Sequence, residues 1–218
     1  MNLSLRPAAL LAMMLCLVAA LPALAGPTGP VFTYRRIFKS STPEFIEIKI
    51  PRDAGTATYE IRQLEDDAGP APFEVSSALR GKIMGLIGQL NYFKGLDLDV
   101  HRKIANLGEK TFRWQDSSGV SEVTFNYTLN TAAAQLLQIC EGLARQQELY
   151  ELLQRRMKYD RLGVNDALLQ LDSDMTKGVL PEPHEFLELL DQIAGDSRFV
   201  EIARQRSRAL AERIRHQG

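Results

Sequence analysis

The sequence predicts an α+β protein, with an antiparallel sheet of about five strands in the order β-β-β-α-β-β and a C-terminal helical unit built on one long helix. Three observations predict it. Segments before residue 130 alternate apolar and polar residues, later segments repeat apolar residues every three or four positions, and residues 131–160 keep that helical spacing throughout. We therefore expect a signal peptide at 1–25, a sheet domain at 26–129 and a helical domain or extension at 130–218.

The first 25 residues have the three parts of a secretory signal. Arg6 gives a positive start, residues 8–21 form an apolar run, and Ala23-Leu24-Ala25 is a small-x-small cleavage site. The run is short for a membrane span, and no second apolar run of about 18 residues follows. We expect cleavage after Ala25 and a periplasmic or secreted protein without stable membrane insertion. An uncleaved anchor is the alternative.

Three short segments after the signal predict an antiparallel meander. Turn residues separate them, and they are residues 31–39, 45–50 and 56–64. In the second segment three isoleucines alternate with Glu47 and Lys49, which is the pattern of a half-buried strand. The acidic, proline-containing residues 65–72 predict a solvated crossing.

The next segment, residues 77–93, has the apolar spacing of a helix but contains Gly81, Gly85 and Gly88. Each glycine inside a helix costs about 1 kcal/mol relative to alanine. The glycines have two interpretations: a bend that holds a ligand, or a close approach to the sheet that leaves no room for a side chain. We favour the close approach.

The strongest local pattern is a hairpin, in which residues 109–115 and 120–129 flank a four-residue loop at 116–119. The simplest register places Gln115 opposite Val120. Both segments are rich in β-branched and aromatic residues, so we expect them to complete the sheet.

The same register pairs Arg113 with Glu122 as a cross-strand salt bridge and Phe112 with Val123 in the core. Four rings should share one face of this hairpin: Phe112, Trp114, Phe125 and Tyr127. Such a face normally packs under a helix. An exposed carbohydrate-binding platform is the alternative.

The long helix at 131–160 measures about 45 Å at 1.5 Å per residue, so it can contact one unit at each end. Cys140 lies in its apolar stripe and predicts a buried thiol, since free cysteine is among the most buried residues. Polar residues between the apolar positions, including Gln146 and Gln147, suit a solvated face. Three shorter helices should follow as a bundle-like unit, at residues 165–177, 184–194 and 198–215.

Two short patterns resemble metal sites. Asp97, Asp99 and His101 would share a face if extended, but no further ligand is identifiable, and an exposed loop is the favoured interpretation. Residues 172–176 begin like a calcium loop, with Asp172 and Asp174 at the first and third positions. The pattern then fails at later positions, so we expect no metal site and no cofactor.

Charge and motifs exclude several classes of function. The formal net charge of −1 gives no electrostatic footprint for nucleic acid. The sequence lacks the Gly-x-Ser-x-Gly, phosphate-loop, Gly-x-Gly-x-x-Gly, Cys-x-x-Cys and zinc-protease patterns. Residues 126–128 form a glycosylation sequon, which matters only in a eukaryotic secretory pathway.

We therefore expect a soluble exported binding or assembly protein of the cell envelope, acting on an envelope or secreted protein partner rather than as an enzyme. One alternative is an envelope carbohydrate or peptidoglycan hydrolase that pairs carboxylates such as Asp97, Asp99 and Glu109. Another is a protein inhibitor or periplasmic chaperone that presents its last helices. The helix at 198–215 could also pair with a second copy, so the sequence leaves the oligomeric state open.

Overall fold

The computed structural model describes residues 29–217, so the predicted signal peptide and cleavage site lie outside the described residues. It confirms the α+β class. The strands are β1 Val31–Ile37, β2 Phe45–Pro51, β3 Ala57–Arg62, β4 Ala71–Phe73, β5 Glu109–Asp116 and β6 Gly119–Phe125. The helices are α1 Ser77–Gln89, α2 Thr131–Tyr159, α3 Val164–Thr176, α4 Leu187–Gly195 and α5 Glu201–Gln217, with 3₁₀ turns at Asn91–Phe93 and Pro183–Phe186.

The six strands form one antiparallel sheet in the order β4-β3-β2-β1-β5-β6. Successive side chains of a strand point to opposite faces. Phe32 and Tyr34 of β1 therefore join Phe112 of β5 on the buried face, where all three are 0% exposed. The opposite face carries charged residues, and Arg35 pairs there with Glu47 at 2.6 Å.

The sheet has one strand more than the sequence predicted, in the order β-β-β-β-α-β-β. The extra strand, β4, lies in the segment expected to be a solvated crossing, and Phe73 pairs there with Ala57. Pro72 obscured it, since proline interrupts a ladder. Proline is tolerated here because β4 is an edge strand, and Phe73 anchors the strand in the core at 5% exposure.

The hairpin register is confirmed, with Gln115 opposite Val120 and Arg113 opposite Glu122. The loop is shorter than predicted, because Asp116 pairs with Gly119 and leaves only two residues between them. The expected salt bridge is wrong: the Arg113 guanidinium donates to Gln115 Oε1 at 3.4 Å instead.

Three of the four predicted rings are buried, at 2% exposure or less: Phe112, Trp114 and Phe125. They therefore do not form a carbohydrate platform. Tyr127 is 43% exposed, and its predicted burial is wrong. The reason is that β6 ends at Phe125, four residues earlier than predicted, so Tyr127 leaves the sheet.

The predicted close approach of the α1 glycines to the sheet is also wrong. Gly81, Gly85 and Gly88 face solvent, and a Cβ atom added at any of them meets nothing within 4 Å. The buried side of α1 is formed instead by Ile83, Leu86 and Ile87. Nothing in the structure of the described residues requires glycine at these three positions.

The long helix α2 contributes to two separate cores, as its length predicted. Leu136, Cys140 and Leu143 belong to the core between the sheet and the helices. Leu149 and Leu153, further along the helix, belong to the core of the C-terminal helices. The Cys140 thiol is 0% exposed, and burial raises its pKa well above the ordinary value.

Gly142 of α2 packs closely against the segment that precedes the second 3₁₀ turn, and the packing requires a glycine there. A Cβ atom here would lie 2.5 Å from the Val179 carbonyl oxygen and 3.0 Å from the Pro181 ring. We expect Gly142→Ala to lower the free energy of unfolding by roughly 1–2 kcal/mol through overpacking, as measured by urea denaturation. Gly195→Ala is the matched control, since its added Cβ meets nothing within 4 Å. Equal stability of the two variants would contradict this packing.

Candidate functional site

Residues 94–108, here called the connector, link the first 3₁₀ turn to β5 and are held against the end of β6 by hydrogen bonds. The Asn126 side chain accepts from the Leu107 amide at 2.7 Å and donates to the Ala105 carbonyl at 2.9 Å. The Val100 amide donates to the Tyr127 carbonyl at 3.2 Å. The connector is therefore an ordered surface beside the sheet, although it has almost no regular secondary structure. The Asn126 side-chain nitrogen, which is the acceptor atom of the sequon, is therefore already hydrogen-bonded to the connector.

Lys110 fixes the connector from beneath. Its ammonium group donates to the carbonyl oxygens of Leu107 at 2.8 Å, Gly108 at 2.9 Å and Asn126 at 2.9 Å. The residue is 7% exposed, and burial lowers its pKa. All three N–H donors are used, so Lys110 acts as a buried structural cation rather than as a nucleophile. No sequence motif marks this role, because the three acceptors are backbone atoms.

The acidic residues predicted as candidate metal or catalytic ligands lie in the connector, and both approach His101, with Asp99 Oδ2 at 3.9 Å from His101 Nδ1. Asp97 Oδ2 is 2.6 Å from His101 Nε2. Asp99 Oδ1 instead accepts the backbone amides of Asn126 at 3.0 Å and Tyr127 at 3.2 Å. Within residues 29–217 no group of three or more His, Cys, Asp or Glu side chains is placed to hold a metal ion.

A groove of about 710 Å³ lies beside these residues and is lined by Asp97, Asp99, His101 and Glu109. A glycoside hydrolase needs a carboxylic acid whose pKa is raised so that it can donate a proton. The hydrogen bond from His101 lowers the pKa of Asp97, and the amides of Tyr127 and Asn126 lower that of Asp99. These two carboxylates therefore suit hydrogen-bond acceptance rather than acid catalysis.

Acidification should release the connector. Asp99 has a lowered pKa in the folded protein, so its contribution is present above its unfolded pKa of about 3.9 and is lost as the pH falls through the folded value. We expect the protection of the Asn126 and Tyr127 amides, measured by NMR hydrogen exchange relative to the intrinsic rate at each pH, to fall below about pH 3.9. Asp99→Ala, which removes the acceptor, should already show low protection of both amides at pH 7. Slow exchange of both amides in that variant would contradict the assignment.

A cavity of about 390 Å³ opens between the connector and the first turns of α2. Its apolar wall contains Leu107, Tyr127, Ala134 and Leu137. Four large apolar side chains are exposed around the connector: Ile104 at 39%, Leu107 at 45%, Tyr127 at 43% and Leu129 at 65%. We call these four residues and the adjoining cavity the connector surface.

The cavity has a charged residue of α2 in its lining. Glu141 accepts from Arg36 at 2.8 Å and from the buried Tyr34 hydroxyl. Burial, followed by the charge of Glu141, raises the pKa of Tyr34 well above its ordinary value, so the hydroxyl keeps its proton. The charge of Glu141 is therefore balanced by Arg36, and the hydrogen bonds from Arg36 and Tyr34 fix β1 to α2 beneath the cavity.

A second polar group lies between the two cores, and the sequence did not predict it. Gln146 and Gln147, expected on a solvated face, are 1% and 2% exposed. Both side-chain amides donate to the Glu185 carboxylate, Gln146 Nε2 at 2.5 Å and Gln147 Nε2 at 2.8 Å. Burial raises the pKa of Glu185. The group joins α2 to the second 3₁₀ turn, so we assign it a structural role.

The residues that resemble the start of a calcium loop lie within α3 and form ion pairs. Asp172 pairs with Arg213 at 2.8 Å, and Asp174 pairs with Arg145 at 2.7 Å. These carboxylates hold α5 and α2 against α3.

Two further observations bear on the class of protein. Across residues 29–217, no helix combines the length and the apolar character needed to cross a membrane. No protein-family model, curated protein or solved structure matches the chain.

Proposed function

We propose that the protein is an exported binding or assembly protein of the cell envelope, and that it contacts an envelope or secreted protein partner through the connector surface. The observation that supports this most directly is the group of exposed apolar side chains around an apolar cavity. Monomeric proteins rarely expose large contiguous apolar patches, and those that occur often mark interaction sites. The export signal predicted from the sequence of residues 1–25 supports the location.

The hydrogen bonds beneath the surface favour binding. A loop loses less conformational entropy on binding when its backbone is already ordered in the free protein. Hydrogen bonds of Asn126, Lys110 and Asp99 join the backbone of the connector to the end of β6. Ile104 and Leu107 are thus presented on an ordered backbone although they lie in a loop.

Site-specific photo-cross-linking in cells tests the proposal. A benzophenone amino acid at Leu107 should give a cross-linked adduct in the envelope fraction, and one at Lys82 on α1 should not. Lys82 is a suitable control because it is exposed and lies on α1, outside the connector surface. The absence of an adduct at Leu107, or an equal adduct at Lys82, would overturn the proposal.

The inhibitor or chaperone alternative also has a specific observation. Ile202 on α5 is 55% exposed, and Leu162 before α3 is 78% exposed. A cross-linker at Ile202 therefore belongs in the same experiment. Adducts from Ile202 but none from Leu107 would favour the last helices as the binding surface.

The hydrolase alternative predicts a different result. Peptidoglycan turnover by the purified protein that is abolished by Asp97→Asn would support it. It would also contradict the role of Asp97 as a simple acceptor for His101.

A further inference from the structure

We infer that the partner segment recognised by the connector surface is acidic and carries an apolar side chain that enters the cavity. This inference rests on the proposed function and deepens it. It combines two independent features of the surface, its charge and its shape.

The connector carries exposed cations although the whole chain has a net charge of −1. Arg102 and Lys103 are exposed beside the apolar residues, and neither forms an ion pair within residues 29–217. Among residues 101–110 the only acid is Glu109, which lines the neighbouring groove instead. Two cations that have no ion-pair partner among the described residues attract a negatively charged segment.

The acidic residues Asp97, Asp99 and Glu109 line the neighbouring groove and not the cavity. Asp97 contacts His101, and Asp99 accepts two backbone amides. Glu141, which does line the cavity, is paired with Arg36 at 2.8 Å.

The shape of the surface favours a protein segment over a flat bilayer. The cavity of about 390 Å³ is concave and is lined by Leu107, Tyr127, Ala134 and Leu137. Interfaces concentrate their binding energy where a large apolar or aromatic side chain fills such a pocket. A bilayer surface would contact the exposed rim and leave the cavity without an occupant.

Selection from a random peptide library displayed on phage, using the purified protein as bait, tests this inference. We expect enrichment of peptides in which Asp or Glu flanks Leu, Ile, Phe, Met or Trp. The affinity of such a peptide should fall about tenfold or more in R102E/K103E, because the variant replaces two attractive charges with repulsive ones. It should also fall in 0.5 M salt, because salt screens exposed charges. It should also fall in Leu107→Ser, which removes an exposed side chain and keeps the backbone bonds.

The matched control is K82E/R155E, which changes the net charge equally at two exposed positions outside the connector surface. It should bind the selected peptide as the parent protein does. Enrichment of basic or uncharged peptides, no enrichment at all, or equal binding by R102E/K103E would overturn the inference. Binding to phosphatidylglycerol vesicles without peptide enrichment would identify a bilayer as the occupant and also overturn it. A cross-linked partner at Leu107 whose binding is independent of charge would leave the proposed function standing and refute only this inference.

Discussion

Replacing Lys110 with methionine should lower the free energy of unfolding by about 3 kcal/mol, because it leaves three carbonyl oxygens without their donor. Methionine has nearly the same length and apolar stem, so the change removes the ammonium group rather than the packing. Two of the acceptors belong to the connector, at Leu107 and Gly108, and the third is Asn126 at the end of β6, so the ammonium group joins these two segments. Urea denaturation measures the loss, and the connector amides should become more rapidly exchanging.

Lys103→Met is the control for this prediction. Lys103 is exposed, lies in the same connector, and forms no ion pair within the described residues. Surface substitutions of this kind usually change stability by less than about 0.5 kcal/mol. If the two methionine variants unfolded at the same urea concentration, the three-carbonyl arrangement would not stabilise the protein in solution.

Replacing Gly81, Gly85 and Gly88 together with alanine should raise the free energy of unfolding by about 2–3 kcal/mol. Glycine costs about 1 kcal/mol relative to alanine inside a helix, chiefly through the entropy of the unfolded chain. The three positions lie within α1 and have room for a methyl group. Thermal and urea denaturation should both show the increase.

Gly108→Ala should have the opposite sign. Gly108 has a φ of +88°, and an added Cβ atom would lie 2.9 Å from Phe38 Cβ.

If the triple alanine variant were no more stable than the parent protein, the helix propensity argument would fail for α1. A stabilised variant that cross-links to its partner normally from Leu107 would also show that these glycines have no part in that interaction.

Much of the fold was predictable because periodicity reports burial directly. The alternation around Ile48 and the helical spacing through Leu136 and Leu149 determined the class and the long helix, and the loop residues 116–119 determined the hairpin register. The errors arose where backbone context decided the outcome. Pro72 masked an edge strand, and the α1 glycines were assigned a contact that the structure does not contain.

The candidate site was less predictable, because its parts are distant in sequence and act through backbone atoms. Asp97, Asp99 and His101 were identified by residue type, yet their partners are each other and the amides of Asn126 and Tyr127. Lys110 gave no signal, since a lysine in an amphipathic strand usually faces solvent. Gln146 and Gln147 were misassigned because burial of an amide depends on Glu185, which lies in a different element.

The buried thiol of Cys140 offers a built-in reporter of opening. Because the side chain is 0% exposed and its pKa is raised by burial, a thiol reagent can reach it as a thiolate only when α2 separates from the sheet. The rate of labelling under native conditions would therefore record how often that separation occurs. A bound partner that contacts both α2 and the connector should oppose that separation and slow the reaction without touching the sulfur atom.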